Sequence, residues 1–388
     1  MKKKINKKIY LSILGDINDP HEWSGTGYYC LQSFRQLGID VEGIKLKTNS
    51  INHKILRFFW NLYLFLESQN IGGYQYSEAS LSFLWNKLNN NFDNKILINF
   101  FPLFPENINS NKNISKYFYI DLTLNQLFRD YGSPKKMTSS YKKQILEKEY
   151  MGYKESRHIF THSKFVKTDL VNKYNIEEKK ISIITPGANF LNNIKFKKQS
   201  SFKKKEYLEL LFIGKDFYRK GLDRLLEAIK KCNETKTICK LHIVGNKLKN
   251  DNRFIKYQKM QNIYEYGFID KKNDMNLLNH LLTKCDVGIL LSRAEAGGMS
   301  LREFSFAGIP TIVTKVGGIE DHVNKLSSIL IEKENDLEII NEVIKTLKYL
   351  YSDQFALNKL KKYSLNNSYD FSWASSCSKM LSKIKEIE

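Results

Sequence analysis

The sequence has no run of about 18 uncharged apolar residues, so none of it reads as a helix that crosses a bilayer. Cysteine is sparse. The five thiols, at 30, 232, 239, 285 and 377, are odd in number and scattered, and none falls in a C-x-x-C spacing. That argues against a disulfide framework or a zinc ribbon and leads us to expect reduced, buried thiols in a cytoplasmic protein. No Asp-x-Asp pair occurs, which speaks against a metal-held diphosphate. No P-loop pattern occurs either, and "GTG" at 25–27 is too short for a dinucleotide fingerprint. The N-terminus "MKKKINKKIYLSILGD" starts basic like a signal peptide. Its apolar stretch is short and ends in Gly-Asp without a cleavage site, so a first strand behind a solvated basic lead is expected.

Acidic residues are the minority: 41 against 62 basic ones, a net charge of +21. Such a field attracts polyanions, whether nucleic acid, phosphorylated substrates or an anionic bilayer. No zinc-finger or RNP1-like motif supports specific nucleic acid binding. The richness in Lys, Asn and Ile also fits AT-rich coding, so the charge alone does not name a partner. Hydrophobic residues reach 42% of 388 positions, enough for real cores in two or three domains.

Along the chain, apolar strands alternate with amphipathic helices. "KKIYLSILGD", the small-residue loop "PHEWSGTGYY", the helix "YYCLQSFRQLG" and the strand "DVEGIKL" open a doubly wound α/β domain. Residues 51–66, "INHKILRFFWNLYLFL", carry apolar side chains at helical spacing beside Lys54 and Arg57. Packing on the sheet is the expectation and a membrane interface the alternative. "NKILINFFP", "KYFYIDLTL", "RHIFT" and "KISIITPGAN" read as further strands. The basic stretch 192–206 reads as a linker. The alternation then restarts with "YLELLFIGK" and runs to "IPTIVTK". Two Rossmann-like halves follow, each with a mainly parallel sheet and ligands outside the strands' carboxyl ends.

The chemistry concentrates in the second half. "DVGILLS" is a strand, "RAEAGG" its loop, and "MSLREFSFAG" a helix opening near Gly298. The unpaired N–H groups of Gly298, Met299 and Ser300 make an anion site at a helix N-terminus. Glu295 and Glu303 suit sugar hydroxyls rather than phosphate. A ligand with a sugar on each side of a diphosphate, a nucleotide sugar, uses all of these groups. In "FIGKDFYRKGLDRLLEA" a strand ends at Gly214, and Lys215, Arg219 and Lys220 precede a helix opening at Gly221. These cations suit a diphosphate leaving group. His158 and His162 lack a third ligand close by and read as structural.

These motifs resemble those of the retaining glycosyltransferases of family 4. Glu295 to Glu303 matches the E-x7-E motif with Gly298 inside it. Lys215, Lys220 and Gly221 match R-x4-K-G, and "GIPTIVTKVGGIEDHV" and "FSW" match later segments. The resemblance implies a GT-B fold, two Rossmann-like doubly wound domains facing across a cleft. They are expected at 1–191 (acceptor side) and 207–362 (nucleotide-sugar side), with a helix at 363–388 packing back toward the first domain.

It further implies that Glu295 contacts the donor sugar and Glu303 the ribose, and that backbone at Gly267 and Ile269 holds the base. Gly25, Thr26 and Gly27 are then the loop over the diphosphate. Lys215 replaces the family arginine and loses its planar fork, for which Arg219 nearby compensates. Asp121 stands where the family often has histidine; a helix-capping aspartate is the alternative there. The implied activity is metal-independent, retaining hexosyl transfer from a UDP- or GDP-sugar, with no cofactor, to a glycan or lipid-linked acceptor. The implied setting is cytoplasmic, peripheral on the inner face of the cell membrane. A catalytically silent sugar-nucleotide-binding subunit is the alternative.

Overall fold

In a computed structural model, residues 7–68, 72–88, 91–132, 137–191, 196 and 205–388 are described. The chain divides into two compact units: 1–185 with 376–388, and 186–375. Of the expected linker at 192–206, only Phe196, Lys205 and Glu206 fall among the described residues.

The first unit holds β1 (Ile9–Ser12), α1 (Thr26–Gln36), β2 (Val41–Ile44), α2 (Ile51–Ser68), α3 (Glu78–Asn86) and β3 (Ile96–Asn99). Then come α4 (Glu106–Ser110), β4 (Ser115–Ile120), α5 (Leu124–Asp130), α6 (Ser139–Glu155), β5 (His158–Thr161), α7 (Lys164–Asn172) and β6 (Ile181–Ile183). Its six strands form a parallel sheet in the order β2-β1-β3-β4-β5-β6. β1, β3, β4 and β5 are buried at every position. That is why they read in sequence as apolar runs rather than as alternations. Helix α1 begins at Thr26, before the Tyr28 expected from its apolar spacing, with Gly25 as its N-cap.

The second unit holds β7 (Leu208–Gly214), α8 (Leu222–Cys232), β8 (Cys239–Gly245), β9 (Ile263–Gly267), α9 (Met275–Lys284) and β10 (Val287–Leu290). It continues with α10 (Met299–Phe306), β11 (Thr311–Thr314), α11 (Ile319–His322), β12 (Ser328–Ile331), α12 (Asp336–Ser352) and α13 (Gln354–Asn366). The last helix, α14 (Trp373–Ile387), starts here and belongs to the first unit from Ser376 on. The sheet is again six-stranded and parallel, β12-β11-β10-β7-β8-β9. One apolar core joins β7 (Leu210, Phe212), α8 (Leu225, Ile229), β10 (Ile289) and α10 (Phe304). The expected α/β class with two doubly wound parallel sheets is what the chain forms.

Helix α2 departs from expectation. It packs against α3 and the short turn at Tyr74–Tyr76, not on the sheet. Its inward contacts are few: Leu64 is buried, His53 meets Tyr74 and Phe83, and Trp60 meets Tyr74 and Tyr141. The opposite face carries Ile51, Ile55, Phe58, Phe59, Leu62, Tyr63, Phe65 and Leu66 into solvent. The apolar stripe is wider than the surface that covers it.

Candidate active site

In the second unit the strand order reverses between β7 and β10. From β7 the chain proceeds to β8 and β9 at one edge; from β10 it proceeds to β11 and β12 at the other. Loops leaving two neighbouring parallel strands in opposite directions open a crevice at their carboxyl ends. The β7 loop carries Lys215, Arg219 and Lys220. The β10 loop carries Ser292 through Gly298.

Bare backbone lets these loops close on each other. A Cβ on Gly214 would lie 2.3 Å from Lys220 Cδ, so the lysine stem lies over an unsubstituted Cα. Gly221 caps α8 at φ +70, and a Cβ there would come within 1.9 Å of the Leu291 carbonyl oxygen. The approach delivers Lys220 to Glu295: Nζ is 3.1 Å from Oε2, and Arg219 Nη1 is 3.2 Å from the same oxygen. Arg219 Nη1 also donates to the Ala294 carbonyl at 2.8 Å, and Ser292 Oγ lies 3.4 Å from Glu295 Oε2. Burial opposes the charge on Glu295, but Lys220 and Arg219 outweigh it and hold the carboxyl below the ordinary range.

A second ring of charge fixes the β10 loop and was not anticipated from sequence. Arg293 forms a fork with Asp223, both bonds 2.8 Å, and donates to the Tyr218 carbonyl at 2.7 Å. Arg224 donates to the Leu291 carbonyl at 2.9 Å and to Asp336 at 2.9 Å. Asp223 and Arg224 sit on α8, and Asp336 opens α12. The partners are 43 to 112 residues apart, so no local pattern announces them.

Helix α10 supplies the other half of the crevice. Gly298 is its N-cap, and Met299 and Ser300 form the first turn, whose N–H groups lack intrahelical acceptors. Ser300 Oγ is buried without a hydrogen-bond partner among the described residues. Glu303, also buried, pairs with Lys271 from the loop after β9. Gly267 ends β9, and Ile269 beyond it is buried. Lys215 stands apart: it is exposed, with its ammonium 4.6 Å from the centroid of the Phe268 ring. The structure thus joins Glu295, Arg219 and Lys220 in direct contact, and Glu303 with Lys271. Lys215 belongs to neither group.

The remaining predicted residues lie in the first unit, at the carboxyl ends of β1 and β4. Gly25, Thr26 and Gly27 form the start of α1, where a Cβ on Gly27 would press on Ile17 at 2.8 Å. Asp121 follows β4 directly and is half-buried. It does not cap α5. Thr123 does, in a capping box with Gln126. The Leu124 N–H of that helix donates 2.8 Å to Glu149, a fully buried carboxyl that also accepts from Tyr153 Oη at 2.7 Å and from Tyr174 Oη. His158 lies 2.8 Å from Ser182 Oγ, and burial lowers its pKa to about 4. The His162 ring packs on Tyr119, with centroids 4.4 Å apart. Among the described residues no three His, Cys, Asp or Glu side chains gather as a metal site.

Residues 193–366 match the family model described as glycosyl transferases group 1. The matched stretch lies within the second unit. Across 232 residues the chain is 26% identical to an uncharacterized glycosyltransferase of Methanocaldococcus jannaschii, a match over 57% of this chain. That match spans 58% of the relative's length. Among solved structures, sucrose-phosphate synthase from Thermosynechococcus elongatus superposes with a TM-score of 0.69 at 13% identity, over 98% of this chain and 99% of that one. Anabaena HepE in complex with UDP and glucose gives 0.64 at 12%, over 98% and 99%. The fold is GT-B.

Proposed function

We propose that the chain is a retaining hexosyltransferase that moves a hexose from a UDP- or GDP-sugar to an acceptor hydroxyl. The observation that carries this reading is the buried Glu295 bridged to Lys220 and Arg219 at the reversal point, beside the start of α10. An ammonium has three donors and a guanidinium five. Lys220 and Arg219 can therefore hold Glu295 and still reach a diphosphate. With the first-turn N–H groups of α10 and the Ser300 hydroxyl, they neutralise the charge that develops on the leaving diphosphate, a role that needs neither metal nor cofactor. Glu295, kept ionised by its two cations, orients the donor hexose, and Glu303 accepts from the ribose. Gly267 and Ile269 hold the base. Gly25, Thr26 and Gly27 serve the diphosphate, and Asp121 the acceptor. The acceptor oxygen enters on the face the diphosphate leaves, and the departing oxygen takes its proton.

The test is a thermal-shift panel of nucleoside diphosphates and their sugars, followed by transfer assays in EDTA. A ligand at 100 times its Kd stabilises by about 2.7 kcal/mol. Loss of all turnover in EDTA, regained with manganese, would contradict the metal-free reading. Binding without transfer or hydrolysis would assign the chain to a silent binding subunit.

The acceptor in this reading is a glycan or lipid-linked sugar presented at the inner face of an anionic membrane. Helix α2 supports it. Phe58, Phe59 and Leu66 are 63%, 59% and 76% exposed on one face, with Lys54 and Arg57 on the same helix. Burying each such side chain gives roughly 1.5–3 kcal/mol, and each basic residue at the surface adds on the order of 1 kcal/mol. No helix among the described residues is long and apolar enough to cross a membrane, so α2 would lie in the interface. Sedimentation with phosphatidylglycerol vesicles should capture the protein at low salt, and Phe58→Ser with Phe59→Ser should release it. Failure to sediment even at low salt removes the membrane from the reading. Concentration-dependent dimers lost in the same variant would assign the face to a second copy.

A further inference from the structure

We infer that Lys271 sets ribose recognition by stapling the loop after β9 to Glu303. The inference rests on the reading of Glu303 as the ribose carboxylate. Glu303 lies inside α10 and is buried, so its charge needs compensation. Lys271 provides it from a separate loop. Its ammonium pairs with Glu303 Oε1, lies 3.3 Å from the Asn189 carbonyl oxygen and sits 5.0 Å from the centroid of the Phe190 ring. Each of those partners is fixed in turn. Phe190 stacks on Phe306 of α10, with centroids 5.9 Å apart, and Asn189 Oδ1 accepts from Trp373 Nε1 at 3.0 Å. An ammonium seated on an anion, a carbonyl and an aromatic face is a fixed charge.

Two consequences follow for a bound nucleoside. Lys271 takes Oε1, and no described residue hydrogen-bonds to Oε2, so one defined oxygen is left to accept from a ribose hydroxyl. Lys271 is also two residues from Ile269 and four from Gly267, in a turn that Asp270 closes by accepting from the Lys272 N–H at 3.0 Å. The ion pair therefore ties the backbone that would hold the base to the carboxylate that would hold the sugar. Lys271 is a positioning residue: it acts on ribose through Glu303.

The experiment compares Kd values for UDP and GDP with those for their 2′-deoxy and 3′-deoxy analogues, by calorimetry on the full chain. The wild type should prefer the ribonucleotide by tenfold or more for at least one hydroxyl. Glu303→Gln should bring that ratio near one. Lys271→Met should do the same, because the freed carboxylate reorients, and Lys271→Arg should restore part of the ratio. If Lys271→Met weakens ribo- and deoxynucleotides equally, the lysine is merely structural and the inference is overturned. If Glu303→Gln leaves the ratio intact, or the wild type shows no preference, the reading of Glu303 fails instead. Should Lys271→Met not fold, Lys271→Arg alone decides: a ratio equal to that of the wild type counts against the staple, and an intermediate one supports it.

Discussion

The two units share a fold but treat a buried carboxylate in opposite ways. In the second unit Glu295 is buried against Lys220 and Arg219; burial raises its proton affinity, the two cations together lower it by more, and the carboxyl stays ionised. In the first unit Glu149 is buried among hydroxyls. Tyr153, Tyr174 and the Leu124 N–H all donate to it, yet burial outweighs them and pushes its pKa up to about 8. Neutral donors stabilise an anion less than a full positive charge does in a low-dielectric interior. The same side chain is a permanent charge in one unit and a protonated wedge in the other. A charge kept ionised at a strand's carboxyl end can act on substrate; one that takes up a proton serves packing and a helix cap.

The comparison breaks most visibly at Lys220. Lys220→Ala should cut transfer by roughly 10²–10³, the scale of losing one charge-stabilising donor. It should also destabilise by up to about 3–5 kcal/mol, less if Arg219 takes over the pairing. Lys220→Met combined with Glu295→Leu should recover melting temperature in calorimetry without recovering turnover. Next in size, Glu303→Ala should weaken nucleotide binding and Glu295→Ala mainly lower turnover, each by roughly tenfold to a hundredfold. Normal affinity and rate in both variants would refute the site assignment.

Acidity separates the two carboxylates directly. Glu149 keeps its proton in the folded chain up to about pH 8 but in the unfolded chain only in the ordinary carboxylate range. Its contribution is therefore complete at low pH and is lost as pH rises through about 8. Glu295, with its pKa lowered, contributes above the ordinary range and loses that contribution only as pH falls below it. Wild-type melting temperature should fall by several degrees between pH 6 and 9, while Glu149→Gln should flatten the curve. An equally steep fall in Glu149→Gln would show that another group titrates. The smallest effect is expected at Lys215. Its exposed contact with Phe268 is worth about 0.5–1 kcal/mol, so Lys215→Ala should change nucleotide affinity by less than about fivefold in a binding assay. A hundredfold loss would place Lys215 on the diphosphate after all.

Much of this was legible in the sequence, for a physical reason. Parallel strands buried on both faces, such as β10, appear as apolar runs, Gly214 marks a strand's end, and the glycines at 221 and 298 mark where loops turn into helices. The spacing of Glu295 and Glu303 needed no tertiary information, because one loop and one helix carry both. What escaped depended on distance or on coverage. Lys271 lies 32 residues from Glu303, and Asp336 lies 112 from Arg224, so only the fold brings them together. The apolar periodicity of α2 is the same whether a sheet or solvent faces it, and the sheet was the wrong choice. Glu149 lies on a helix rich in Lys and Glu, and its local sequence does not single it out. Its tyrosine partners at 153 and 174 gave no hint that all three turn inward.

Gly221 also has a consequence for anyone who randomises this gene. It and Gly38 have nearly the same backbone angle, φ +70 and +73, but Gly38 has nothing within 4 Å of where a Cβ would sit. In a saturation library the two codons form a matched pair. Alleles at 38 should be depleted only mildly, by the left-handed backbone penalty of about 1–2 kcal/mol. Every allele at 221 also meets the Leu291 carbonyl and should disappear from the surviving population. The gap in fitness between them measures the collision by itself, with the torsional cost subtracted.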